Sequence, residues 1–433
     1  MLPIRSKYLA LLAIGVMSAA TVVAQTVDNQ ALINALIKKG VLSDEEAKEI
    51  TAQVAKDEGA TDVETSGDKY IQKLVLSGRF QTQYVGLGTS IDGTAVKPVS
   101  TEHFLIRRIY VGVSAFFGDG LSGVVNYDLA NASFDKAYVE WKQSSLFAIQ
   151  AGFNKAPFGY EELTSSGNLR AIERSPITRF IDEPNNGRRL GASSYRTGLF
   201  ATGSDNGFFY TVALTNPERN EYSGDSTNTA VLINAQGGVG TTGTSVTNKP
   251  AYYGTFGYGG TIGDGAMKTV YKFGYETGYL PDQGGPGATL GNGQNIILNG
   301  AFGDVTVAGF NLEGEYEKAQ DDSGVAIHHN ADPDGYWVQG AYKFLPQWEG
   351  VVRYSYVDSD GRGVALSDGI RSAPSGGTMN TMNEWYFGGN WYIKGNDVKL
   401  QAGYIHGESN NTVKGGPAHA ETDGVRSQVQ VNF

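Results

Sequence analysis

The chain has 433 residues, a formal charge of −11 and no cysteine. The acidic total argues against a nucleic-acid partner, and the absence of Cys excludes disulfides, thiolate metal ligands and Cys nucleophiles. Charged residues make up only 18%, against about 25% in soluble domains, while 59 glycines, 24 tyrosines and 19 phenylalanines favour strands and tight turns.

Residues 1–24 read as a signal peptide. Arg5 and Lys7 form a basic start, Tyr8 to Met17 an apolar run, and Val22-Val23-Ala24 a cleavage site that leaves Gln25 first. The apolar run is short of the ~20 residues a spanning helix needs. Residues 25–58 have helical spacing. Leu32, Ile33, Leu36 and Ile37 share a face, Gly40 stops that helix, and Ser43 with Glu46 makes a capping box. The second helix places Ala47, Ile50 and Val54 together. Such a periplasmic hairpin or coiled-coil segment either helps subunits associate or contacts the cell wall. Residues 59–70 form a polar linker.

From residue 71 the pattern has period two to the end. Candidate strands are 71–87, 101–117, 121–130, 133–142, 145–153, 190–203, 207–216, 251–262, 267–280, 294–303, 304–318, 335–345, 348–358, 382–394, 396–408 and 421–433. The expected fold is all-β: a 16-stranded antiparallel transmembrane β-barrel over 71–433, preceded by the helical segment. An even number of strands is what bacterial barrels require. Alternation is clear in 382–393, where Trp385, Phe387, Gly389, Trp391 and Ile393 oppose Glu384, Tyr386, Asn390 and Tyr392. A soluble sandwich also alternates. Against it stand aromatics crowding the strand ends, a terminal strand closing on Phe433, and turns that alternate short and long. Short turns are expected at Gly118-Asp119-Gly120, Gly303-Asp304 and Gly395-Asn396. The long connections, 359–381 among them, read as polar extracellular loops.

One connection differs. Residues 154–189 carry Pro157, Pro176 and Pro184, with Arg170 and Arg174 one helical turn apart. Arg179, Arg188, Arg189 and Arg196 follow, against Glu173, Asp182 and Glu183. A long loop in a barrel this wide can fold inward and narrow the lumen. Guanidinium groups there would favour anions. Alternatively, these arginines pair with the interleaved acids and brace the loop.

The stretch IQAGFNKAPFGYEELTSS, with LRAIERSPITRFI and GRRLGASSY after it, resembles the phosphate-selective porin O and P family. So do LSGRFQ at 76–81 and FLIRRIYVG at 104–112. The resemblance implies a trimer of 16-stranded outer-membrane barrels in a Gram-negative-type bacterium, with a constriction lined by Arg and Lys. Matching its motifs makes Arg79, Arg107, Arg108, Arg174, Arg188 and Arg189 pore or anion-binding candidates, beside Arg170, Arg179 and Arg196 from the loop itself. Parity puts Arg79 on a face with Gln81 and Gln83. It puts Arg108 opposite Leu105, Ile109, Val111 and Val113, and Arg107 on the outer face.

By the same parity the inner wall is mixed. Its cations are Arg79, Arg108, Lys136, Arg196, Lys268, Lys272, Lys343, Arg353, Lys399 and Arg426; its anions are Glu140, Glu276, Glu313, Glu315, Glu317 and Glu384. The expected function is passive diffusion of small polar solutes with a preference for anions such as phosphate. A general, weakly selective porin is the alternative, and a barrel enzyme or an adhesin are further classes. No His lies in an HExxH context and no GxSxG occurs, so no catalytic residue, metal or cofactor is assigned. Expected partners are outer-membrane lipid, small anions and further copies in a homotrimer, with no nucleic acid.

Overall fold

The structure is a computed structural model that describes residues 60–63, 71–92, 98–184, 186, 188–216, 250–281, 295–322, 331–410 and 419–433. The signal-peptide and helical readings of 1–24 and 25–58 fall outside those residues. The chain divides into Met1–Glu58 and Gly59–Phe433, and the second unit is the barrel.

In chain order the strands are β1 (Ala60–Val63), β2 (Lys73–Ile91), β3 (Val99–Gly118), β4 (Leu121–Asp128), β5 (Ser133–Lys142) and β6 (Ala148–Lys155). Then come β7 (Tyr195–Asp205), β8 (Phe208–Thr215), β9 (Ala251–Ile262), β10 (Thr269–Leu280), β11 (Asn295–Val307) and β12 (Phe310–Asp322). The last five are β13 (Asp334–Leu345), β14 (Trp348–Asp358), β15 (Thr381–Asn396), β16 (Val398–Asn410) and β17 (His419–Asn432). Each of β2–β17 pairs antiparallel with its neighbour, and β17 closes on β2 from Ala420↔Ile91 to Asn432↔Arg79, giving a 16-stranded barrel. Closure leaves no unpaired edge, as hydrocarbon surroundings demand. The segment expected as linker contains β1, which pairs Ala60↔Ser77 to Val63↔Leu74 on β2.

The faces are inverted relative to a soluble sandwich. Phe104, Ile106, Val111, Phe273, Leu312, Val338, Val352 and Phe387 are exposed on the outside. Gln81, Gln83, Gln339, Gln401, Gln428 and Gln430 are buried inside. An apolar exterior around a polar interior is stable only with lipid as the outer solvent. Among the described residues no helix is long and apolar enough to cross a membrane.

Two-residue turns set the register at one rim. Asp119-Gly120, Asn206-Gly207 and Ala308-Gly309 all have positive φ at both positions, the primed turn geometry that matches strand twist. The third corrects the expected turn at Gly303-Asp304. Both of those residues lie within β11, where Gly303 pairs with Gly314 and Phe273. Two more expectations change: residues 190–194 belong to the preceding loop rather than to β7, and exposed Lys268 sits at a turn before β10 rather than on the inner wall.

Candidate functional site: a charged constriction

The loop between β6 and β7 carries two short helices, α1 (Tyr160–Leu163) and α2 (Pro176–Asp182). Ser175 caps α2 by accepting from the Thr178 amide, and Pro176 occupies the first helical position, where its missing N–H costs nothing. All seven residues of α2 are buried. Phe158, Ile172, Ile177, Phe180 and Ile181 form an apolar cluster with Val357, Met382 and Tyr386 of the wall. At about 1.5–3 kcal/mol per buried side chain of this size, that cluster is a strong reason for the loop to lie inside.

A second connection joins it. Residues 359–380, expected as a polar surface loop, bury Val364, Leu366, Ile370 and Met379. They contain α3 (Leu366–Gly369), which packs against α2. The loop is apolar at these few positions and polar between them, and the short spacing hid a buried face.

The barrel wall grips the first loop through its backbone. Gln81 and Gln430 are linked at 2.7 Å, Gln83 and Gln428 at 2.8 Å, Gln428 and Gln401 at 2.8 Å, and Gln401 and Asn390 at 3.0 Å. This amide ladder crosses β2, β17, β16 and β15. Its spare donors reach loop carbonyls: Gln81 to Ser166 at 3.2 Å, Gln430 to Gly167 at 3.1 Å and Gln401 to Arg170 at 3.0 Å. Lys399 donates to the Leu169 carbonyl at 2.9 Å. On the opposite wall Glu315 accepts from the Tyr160 amide, the Glu161 amide at 3.0 Å and Trp337 Nε1 at 3.0 Å.

The nine arginines singled out from sequence separate by partner. Arg170 pairs with Glu313 at 2.9 Å and Glu349 at 3.5 Å. Arg174 pairs with Glu162 at 2.9 Å and also donates to the carbonyls of Glu161, Glu162 and Thr164. Arg188 engages Asp368 of α3 at 2.6 Å. Arg179 and Arg189 share Glu183 at 3.1 and 2.9 Å. Arg79 donates to Asn432 and Ser166, both at 2.8 Å, and Arg108 to Gln81 at 2.8 Å, all neutral acceptors. Arg196, buried, donates to the carbonyls of Gly191, Ser193 and Tyr195, and so braces the exit of the loop.

Arg107 is a correction. Parity put it outside, yet its Nε reaches Glu173 Oε1 at 2.6 Å, inside the barrel. The β2–β3 register jumps between Gln81↔Arg108 and Thr82↔Ile106, leaving Arg107 as the extra residue of a β-bulge. Arg107 and Arg108 therefore both point inward, while Phe104 and Ile106 face out and Leu105 packs on the inner core. Two other residues escaped the sequence reading because they lie in 359–380. Arg371 reaches Glu173 at 3.1 Å and also pairs with Glu183, and Arg362 binds Asp321 at 2.5 Å.

Glu173 is held ionised. Burial alone would raise its carboxyl, but the Arg107, Arg371 and Arg108 charges outweigh this and keep it well below the usual carboxylate range. Glu183 behaves the same way, with burial opposed by Arg179 and Arg371. Outside the lumen, the His406 ring nitrogens lie 2.9 Å from Asp423 and 3.2 Å from Glu408, so this His already has carboxylate partners.

A closed sixteen-stranded barrel with an apolar outer belt, a polar interior and an inward loop carrying charge defines an outer-membrane porin. Residues 76–433 match the family model for phosphate-selective porin O and P, and the chain belongs to that family of channels, which are not enzymes. Among solved structures it is similar to the anion-selective porin from Comamonas acidovorans, with a TM-score of 0.51 at 11% identity, covering 83% of this chain and 99% of that one. It is also similar to Salmonella typhi OmpF in complex with daunomycin, with a TM-score of 0.51 at 12% identity, covering 86% and 100%. At such identities these likenesses concern the fold alone. No curated protein sequence matches.

Proposed function

We propose that this porin passes small inorganic anions, phosphate among them, in preference to cations, by passive diffusion past the loop at 154–189. One observation supports this most strongly: among the described residues five arginines, Arg107, Arg179, Arg189, Arg371 and Arg426, pair with two carboxylates, Glu173 and Glu183. Arg79 and Arg108 add charge next to neutral groups. A narrowing with excess fixed positive charge raises the local anion concentration and repels cations. The test is the reversal potential across a planar bilayer in a KCl gradient; a potential of the sign that reports cation preference would overturn the reading.

The weakly selective alternative draws on the neutralised arginines. Arg170, Arg174, Arg188 and Arg353 each face a carboxylate, and Glu276, Glu313, Glu315 and Glu317 line the wall across from the basic side. A reversal potential near zero would favour it.

We infer further that the mature protein starts at Gln25 and that 25–58 forms a periplasmic helical segment, assisting assembly of a homotrimer or contacting the cell wall. Support comes from the sequence pattern alone. Deleting 26–58 and measuring oligomer size in detergent tests the assembly role.

A further inference from the structure

Glu173 accepts four side-chain hydrogen bonds within the constriction. Its Oε1 accepts from Arg107 Nε at 2.6 Å and from Gln83 Nε2 at 2.8 Å. Its Oε2 accepts from Arg107 Nη2 at 3.2 Å and from Arg371 Nε at 3.1 Å. Arg426 Nη1 stands 3.9 Å from Oε1. Three guanidinium groups from three separate elements thus converge on one carboxylate. A structural brace would need one of them.

The donors are also held in place by other partners. Arg426 donates to Gln83 Oε1 at 2.9 Å and to the Arg371 carbonyl. Arg371 is tied to Glu183 as well. Arg107 is aimed inward by its bulge, and the Glu173 backbone is pinned by Arg353 through its carbonyl at 2.9 Å. Arg371 and Arg426 therefore keep partners other than the Glu173 carboxylate, and the Arg107 backbone is set by the bulge. The fork geometry of this cradle suits any planar or tetrahedral oxyanion with two neighbouring oxygens, and Arg371 remains 27% exposed as a way in.

We propose that this cradle is an oxyanion-binding site of the channel and that Glu173 is a tethered competitor occupying it. A diffusing oxyanion binds there only by displacing the carboxylate, so Glu173 weakens retention and keeps the solute moving. This deepens, and rests on, the anion-porin reading above.

The experiment titrates inorganic phosphate against KCl conductance of the full-length channel in planar bilayers. Wild type, Glu173→Gln and the double variant Glu173→Gln/Arg371→Gln are compared. Glu173→Gln should lower the half-blocking phosphate concentration about tenfold, and the double variant should lose that gain. Coincident wild-type and Glu173→Gln titrations would overturn the proposal, as would a gain that survives loss of Arg371. If Glu173→Gln fails to give a heat-modifiable barrel, Glu173→Asp keeps the charge but cannot span both oxygen positions. It should lower the half-blocking concentration about threefold, and an unchanged value would overturn the proposal. Cation preference of the wild-type reversal potential defeats the anion reading instead, so the two failures are told apart.

Discussion

Glu161 and Arg353 stand 192 residues apart in the chain and meet at 3.0 Å, both almost wholly buried. The same guanidinium holds Glu384 at 2.7 Å. One side chain of β14 thus fastens the loop helix α1 to β15. Replacing Arg353 with Met takes the guanidinium from two buried carboxylates, Glu161 keeping only the Ser175 amide, which costs about 3–5 kcal/mol of loop docking. The barrel ladder is untouched, so heat-modifiable migration should persist. Trypsin should now cut at Arg170, Arg174 or Arg179, and single-channel conductance should rise. A protected loop with wild-type conductance would refute this.

Arg107 reaches the lumen only because of its bulge. Arg107→Gln removes one positive charge at the narrowing while keeping a hydrogen-bond donor. A unit charge about 4 Å from a hydrated ion is worth about 1 kcal/mol in water. Anion permeability should therefore fall about fivefold and cation permeability rise by a similar factor, measured as a shifted reversal potential. Arg188→Gln, one Arg already matched by Asp368, should change it less.

The loop carboxylates set the pH response. Glu173, Glu183 and Asp368 all have folded values below their ordinary ones, because arginine charges and hydrogen bonds outweigh the effect of burial. For groups depressed by folding, the stabilisation is complete above the unfolded value, about 4, and is lost as pH falls through the folded value. The protection these three carboxylates give the loop, read as the difference in proteolysis between wild type and Glu183→Gln, should be flat from about pH 8 to pH 5 and decline only in stronger acid. Loss of protection between pH 7 and pH 5 would contradict this assignment.

Gly159 carries a backbone requirement at the entry to α1. Its φ is +85°, and a Cβ there would stand 2.4 Å from Asp182 Oδ2 and 3.0 Å from Glu162 Cβ. Gly159→Ala should destabilise loop docking by about 1–3 kcal/mol, seen as faster proteolysis within the loop. Gly88→Ala, with nothing within 4 Å, is the matched neutral change and should leave proteolysis as it is.

The period-two pattern was enough for the barrel. Fifteen hairpins and a closing pair follow from alternation, and strands such as β9 and β14 fall where it puts them. The β11–β12 turn was misplaced because Gly303-Asp304 has turn-forming composition while Ala308-Gly309 has turn-forming geometry. Composition is visible locally; the register that selects among glycines is fixed by neighbours on both sides. Arg107 fails for the same kind of reason. A bulge adds one residue to one strand, and nothing in the local alternation of FLIRRIYVG marks which residue is extra.

The sequence by itself determined a membrane barrel and its strand number, and it marked one arginine-rich loop as different from the rest. Alternating polarity and proline-punctuated charge are properties of neighbours in the chain. Only the tertiary structure decided which arginines keep unmatched charge. Glu161 with Arg353, Asp368 with Arg188 and Glu173 with Arg107, Arg371 and Arg426 are partners brought together by barrel closure and by two loops folding onto each other. Electrostatic matching depends on distance in space, so the charge left to a passing ion is settled at that last step.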